Sequence, residues 1–176
     1  MNLKIKKLHP DAVIPKYATV GSAGFDLVAV EDVFIEPGET KKVPLGLAFE
    51  IPVGYVLLVC MRSGIALKTK LRQPNAVGVI DSDYRGEVSM MFDNITNGFV
   101  NPLRILGIDG KTIFERNEDI EPVSYPEGAY WIKKGERVAQ GMLQQVSDAW
   151  FFEVDELTET ERGTGGFGST GVKPNA

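Results

Sequence analysis

The chain has one cysteine, one histidine and no surplus of positive charge among its 176 residues. A single cysteine, Cys60, excludes an internal disulfide and a multi-cysteine zinc site, and it suits a reducing, cytoplasmic compartment. With His9 as the sole imidazole, Ser-His-Asp, Cys-His and multi-histidine metal chemistry are largely excluded. Lys plus Arg number 19 against 24 Asp plus Glu, a net charge of −5. A nucleic-acid partner, which calls for a basic surplus, is therefore not expected. Long apolar runs are missing as well. The longest, Tyr55 to Met61, is far too short to cross a bilayer, so no membrane partner is expected. Met1 to Pro10 alternates lysine with leucine and isoleucine and has no apolar targeting core. Asn94-Ile-Thr96 matches a glycosylation sequon, which without a signal peptide is a chance match.

What is present is a rhythm of short strands. Turn signals recur at Pro37-Gly38, Pro52-Val53-Gly54, Asp109-Gly110, Pro126-Glu127-Gly128 and Lys134-Gly135. Between the first two, Val43, Leu45, Leu47, Phe49 and Ile51 are apolar at every second position, the period of a strand with one buried face. Tyr55 to Met61 is apolar on both faces, as in a strand enclosed by a core. Val77 to Ile80, Glu87 to Phe92, Tyr130 to Ile132 and Trp150 to Val154 read as further strands. Helical periodicity is confined to Gly64 to Leu71, with Ser63 as the expected N-cap. Many short strands with one short helix predict an all-β barrel or sandwich.

The end of the chain has a different character. Gly163-Thr-Gly165-Gly-Phe-Gly168 fits G-x-G-x-x-G, and Gly163 to Thr170 fits a Walker A loop except that Ser169 replaces its lysine. Neither motif has its context, since no βαβ unit can follow before Ala176. The underlying physics survives: a glycine run lets backbone N–H groups approach an anion, and Arg162, Ser169 and Thr170 add charge and hydroxyls. Phe167, embedded there, could close over a flat ring. Three internal clusters are also polar. Arg62-Ser63-Gly64 stands between a buried strand and the expected helix. Asp81-Ser-Asp83-Tyr84-Arg85-Gly86 follows an apolar strand end, where its carboxylates could orient water, bind a hydrated metal or cap a turn. Asp26, and the Arg137-Val-Ala-Gln140 strand start, complete the set.

Taken in order, five segments resemble the motifs of the homotrimeric all-β dUTP pyrophosphatase (dUTPase) family. They are Ala23-Gly-Phe-Asp-Leu27, Arg62-Ser-Gly-Ile-Ala66, Asn75 to Gly86, Gly135-Glu-Arg-Val-Ala-Gln140 and Arg162 to Gly171. The resemblance implies a distorted jelly-roll barrel with one short helix, forming a homotrimer, over residues 1–161, and a flexible glycine-rich arm over 162–176. It implies hydrolysis of dUTP to dUMP and pyrophosphate by water attack on the α-phosphorus, assisted by Mg²⁺. Asp81 would be the catalytic base for that water. Tyr84 would pack on the deoxyribose and leave no room for a 2′-hydroxyl. Asn75 would read the uracil edge, with Phe167 covering the base. Arg62, Ser63, Gly64, Gln140, Arg162, Ser169 and Thr170 would contact phosphate, Gly168 joins the substrate-binding set, and Asp26 would hold Mg²⁺ through its water shell. Met61 stands where the family usually carries proline.

Residues 97–128 separate the third and fourth motifs by far more than in compact members. Their net charge is −3, yet they include Leu103, Ile105, Leu106, Ile108 and Ile113. An insertion must leave and re-enter the barrel at nearby points. It therefore reads as an accessory excursion, with Asp109-Gly110 as a hairpin turn. An acidic surface there suits a protein partner better than a nucleic acid; packing on its own barrel is the other reading. Two further functions stay open at this point: a dCTP deaminase-type enzyme sharing the barrel, and a nucleotide-sensing regulatory protein.

Overall fold

The structure, a computed structural model, describes residues 1–97, 104–115, 128–169 and 171. Its strands in chain order are β1 (Lys4–Lys7), β2 (Phe25–Val28), β3 (Val33–Ile35), β4 (Thr40–Glu50) and β5 (Tyr55–Met61). After helix α1 (Ser63–Lys68) come β6 (Leu71–Arg72), β7 (Gly78–Ile80), β8 (Val88–Asn94), β9 (Arg104–Leu106), β10 (Thr112–Glu115), β11 (Tyr130–Ile132) and β12 (Arg137–Gln145). They form three four-stranded sheets, in the orders β1-β4-β8-β6, β10-β9-β11-β3 and β2-β12-β5-β7. The fold is an all-β, distorted jelly-roll barrel.

The alternation in β4 sets the core. Val43, Leu45, Leu47, Phe49 and Ile51 are all buried, and they meet Met90 and Phe92 of β8 and Leu57 and Val59 of β5 in one cluster. Burying each such Leu, Ile or Phe contributes about 1.5–3 kcal/mol. One irregularity interrupts β4. Its register with β8 shifts between Pro44 and Leu47, and Gly46 there has φ +65°. A Cβ on Gly46 would collide with His9, Ala12 and Val30, so the bulge needs glycine twice over, for its φ and for the close packing.

The helix is shorter than the periodicity predicts. It starts at Ser63, its N-cap is Arg62 rather than Ser63, and no side chain caps it. It stops because Thr69 turns its hydroxyl back onto the Ile65 carbonyl at 2.7 Å and accepts the Leu71 N–H at 3.1 Å. The strand predicted at Trp150 to Val154 does not form. Trp150, Phe151 and Phe152 are 83–93% exposed, and no strand among the described residues pairs with them.

The insertion begins beside Asn94, which is 1% exposed. Its amide donates to the carbonyls of Ile35 (3.0 Å) and Gly128 (2.9 Å), and its oxygen accepts from the backbone and hydroxyl of Thr96. Departure and return are thus fastened by one side chain, and the sequon asparagine is sealed from solvent. The Asp109-Gly110 turn forms as predicted, joining β9 and β10 with a Gly107 N–H to Lys111 carbonyl bond of 2.8 Å. This hairpin does not stand clear of the barrel. Leu106 pairs in parallel with Tyr130 of β11, and Ile108 enters the core cluster. Residues 98–103 and 116–127 of the insertion lie outside the described residues.

Candidate functional site

Strand β12 is the element that assembles the polar motifs. Gln140 pairs with Asp26 of β2 on one side and with Cys60 of β5 on the other, so three motifs distant in sequence meet across three neighbouring strands. β5 then runs directly into Arg62 and α1. Asp26, Arg62, Ser63, Gly64 and Gln140 line a single cleft of about 430 Å³.

The electrostatics of that cleft centre on Asp26. Its Oδ1 lies 3.0 Å from Arg62 Nε and its Oδ2 lies 2.9 Å from Arg137 Nη1. A second guanidinium nitrogen of Arg62 donates to the Arg137 carbonyl at 3.2 Å, and Gln140 Nε2 reaches the Met61 carbonyl at 3.5 Å. One carboxylate between two guanidiniums leaves a net charge of +1, and both arginines line the cleft. That arrangement favours a phosphorylated ligand.

Arg137 is a member of the cleft that its motif alone did not reveal. On a regular strand, residues 137 and 140 would face opposite sides. The β12–β2 register shifts between Arg137 and Ala139, and both side chains line the same cleft. A bulge of this kind leaves no mark in the alternation pattern, so only the charge of Arg137 could have flagged it.

Asp81 and Tyr84 lie in a second cleft, of about 320 Å³, with Lys42, Glu87 and Ser89 among its lining residues. Asp81 is the first residue after β7 and is exposed. The following loop is closed internally. The Tyr84 N–H donates to the Asp81 carbonyl at 3.2 Å, and Arg85 donates to the carbonyls of Ser82 (2.7 Å) and Tyr84 (3.0 Å). Asn75 is exposed in the turn ahead of β7, where Ala76 holds φ +59° and the Ala76 N–H donates to the Gln73 carbonyl.

The described residues of the glycine-rich segment line neither cleft. Arg162 folds onto its own segment, Nε donating to the Gly165 carbonyl at 2.9 Å. Phe167 is fully exposed, with φ +48°, and Gly168 and Ser169 are exposed beside it. Thr170 lies outside the described residues. The single chain thus gathers one group of predicted residues in the first cleft, places Asp81 and Tyr84 in the second, and leaves the described arm residues in solvent.

Among the described residues no three carboxylate, histidine or cysteine side chains cluster to hold a metal. Asp26 has both oxygens engaged by arginine, which argues against direct coordination. Each oxygen keeps a second lone pair, so the carboxylate can still accept from the water shell of a cation that arrives with its phosphates.

The fold defines an all-β barrel protein, and the charge of its first cleft suits a phosphorylated ligand. Comparison with known proteins gives the particular family. The dUTPase family model matches residues 11–101. The deoxyuridine 5′-triphosphate nucleotidohydrolase of Nautilia profundicola is 44% identical, over 97% of this chain and 99% of its own. The structure of the Staphylococcus bacteriophage 80alpha dUTPase with dUPNHPP superimposes with a TM-score of 0.87 at 34% identity, over 97% and 99% of the two chains. A mutant dUTPase from phage phi11 of S. aureus, described with a structural Mg(II) ion, has a TM-score of 0.76 at 27% identity, over 89% and 98%. The chain belongs to the dUTPase family.

Proposed function

We propose that this chain is a dUTP nucleotidohydrolase that cleaves dUTP to dUMP and pyrophosphate by attack of water on the α-phosphorus. The observation that carries this reading is the exposed Asp81 carboxylate at the end of β7, in one cleft with Tyr84, in a chain related to such enzymes along its whole length. Asp81 accepts the proton of the attacking water, and Tyr84 forms the wall against the sugar. Asn75 reads the uracil edge from its turn, and Phe167 covers the base when the arm closes. Arg62, Ser63, Gly64 and Gln140 hold the phosphates in the first cleft, with Arg162, Gly168, Ser169 and Thr170 added by the arm. Their donors oppose the charge that builds on the phosphates as the bond to the leaving pyrophosphate breaks. Mg²⁺, held through water by Asp26, supplies charge neutralisation and a clamp on the triphosphate when bound.

The working unit we infer is a homotrimer. Within one chain the phosphate cleft, the Asp81 cleft and the described arm residues are separate, and Trp150, Phe151, Phe152 and Leu157 are each more than 80% exposed. Association of copies covers that apolar surface and lets a site be completed from several chains. No helix among the described residues is long and apolar enough to span a membrane, and we infer a cytoplasmic location from the single free cysteine. The β9–β10 hairpin lines neither cleft. We propose the insertion as an accessory module whose acidic surface suits a protein partner.

Incubation with dUTP or dCTP and Mg²⁺, read for pyrophosphate and for ammonia, tests the reaction. Pyrophosphate from dUTP without ammonia is expected; ammonia from dCTP would identify a deaminase instead. Asp81→Asn should lower turnover at least ~100-fold, the usual scale for general-base loss, while nucleotide binding survives. Near-normal turnover of that variant would remove Asp81 from its assigned role.

A further inference from the structure

The loop carrying Asp81 and Tyr84 is tied to the barrel through a residue outside the reacting groups. In the β4 bulge, Val88 pairs with Leu47 and Ser89 with Pro44, so the intervening Gly46 has no ladder partner on β8. Its N–H donates instead to Glu87 Oε1 at 2.8 Å, in a part-buried position. The backbone carbonyl of the same Glu87 accepts the Tyr84 hydroxyl at 3.1 Å. Tyr84 also lies over Gly86, where a Cβ would overlap its phenol oxygen and ring. The tyrosine ring is therefore placed by the two residues that follow Arg85, and Glu87 fixes those residues to the β4 bulge.

We propose that Glu87 is a positioning residue for sugar selection. By capping the Gly46 N–H it holds the Tyr84 ring in place, and thereby sets the preference for a deoxyribonucleotide over its ribonucleotide counterpart. The inference rests on the dUTP reading given above. Rejecting one added hydroxyl by steric exclusion requires a wall that does not yield, and a wall displaced by an ångström accommodates it. Neither oxygen of Glu87 needs to touch the nucleotide for this. What matters is the reach of its side chain to Gly46.

The test compares kcat/KM for dUTP and UTP in the full-length protein and three variants. Glu87→Asp keeps the charge but shortens the reach by one methylene. It should lower the dUTP-to-UTP ratio by roughly tenfold or more, mainly through faster UTP cleavage, while kcat for dUTP changes by less than about threefold. Glu87→Gln offers an amide oxygen at the original reach and should keep the ratio within about threefold of the parent. Tyr84→Phe removes the hydroxyl that meets the Glu87 carbonyl and should lower the ratio as Glu87→Asp does. An unchanged ratio in Glu87→Asp, or a loss in Glu87→Gln as large as in Glu87→Asp, overturns the proposal. Should Glu87→Asp not fold, the Tyr84→Phe ratio decides: unchanged, it overturns the proposal. A parent protein inactive on dUTP would refute the proposed reaction instead, so the two failures are distinct.

Discussion

Arg137 Nη1 lies 2.9 Å from Asp26 Oδ2 while Arg62 Nε lies 3.0 Å from Asp26 Oδ1. The carboxylate therefore orients two cations at once, and removing either cation alters the other's setting. Arg137→Ala leaves Asp26 and Arg62 as a neutral pair and strips the cleft of its net positive charge. KM for dUTP should rise roughly tenfold, the worth of one hydrogen bond to a charged group, with kcat little changed. Steady-state kinetics at saturating Mg²⁺ checks this. An unchanged KM would show that Arg137 contributes nothing to phosphate binding.

Asn94 fastens both stems of the insertion from a fully buried position. Asn94→Ala would leave the carbonyls of Ile35 and Gly128 without their donor. Unfolding free energy should fall by roughly 2–4 kcal/mol, as expected when buried acceptors lose their partner. Denaturant unfolding measures it. Residual dUTP turnover in the folded fraction should be normal, because Asn94 lines neither cleft.

Much of the barrel was legible in the sequence because period-2 alternation maps directly onto burial. Every one of the five alternating apolar residues from Val43 to Ile51 is buried, and β11 spans Tyr130–Ile132 as its pattern predicts. Elements whose partner lies elsewhere were not legible in this way. The apolar run at Trp150 to Val154 has strand chemistry, but a strand also needs a neighbour, and the described residues of this chain offer none. The helix end at Lys68 was set by one hydroxyl, Thr69 bonding to Ile65, a local competition that periodicity does not register. In the candidate site, Asp26, Arg62 and Gln140 could be named from their motifs. Their convergence depends on β12 lying between β2 and β5, a pairing that no local pattern encodes. Arg137 needed the bulge as well.

The described arm residues, 162–169 and 171, are held in turns, Ser169 N–H to the Gly166 carbonyl at 3.0 Å among them, and they bury no large apolar side chain. Removing residues 162–176 should therefore leave folding and assembly intact, with a melting temperature close to that of the full chain, while dUTP turnover collapses. Calorimetry alongside a pyrophosphate assay would show this. Full activity in the shortened chain would mean that Phe167 and Arg162 take no part in the reaction.

Acid sensitivity should include a contribution from Asp11. The Lys134 ammonium, 2.6 Å from Asp11 Oδ2, holds that carboxyl below the ordinary aspartate range through its hydrogen bond. A folded-state pKa below the unfolded one makes its contribution complete above the unfolded value and lost as pH falls through the folded value. Asp11→Asn should accordingly be less stable than the parent at neutral pH, and the difference should close below about pH 4. Melting curves of both proteins across that range decide it. The difference will be small, since the pair is exposed.

The insertion hairpin is packed into the barrel. Ile108 is 8% exposed and packs in the main core cluster, while Leu106 adds β9 to the edge of β11. A segment anchored in this way supports the barrel even though it lines neither cleft. Ile108→Ala should cost about 2–5 kcal/mol, the range for a large aliphatic side chain removed from a core. Replacing residues 97–128 with a short glycine-serine linker should destabilise further, because β11 then loses its β9 neighbour and Asn94 loses the Gly128 carbonyl. Both proteins should still assemble and should keep most of their dUTP turnover at a temperature well below their melting points. A large fall in kcat with the fold intact would place the insertion within the active site and end its description as an accessory module.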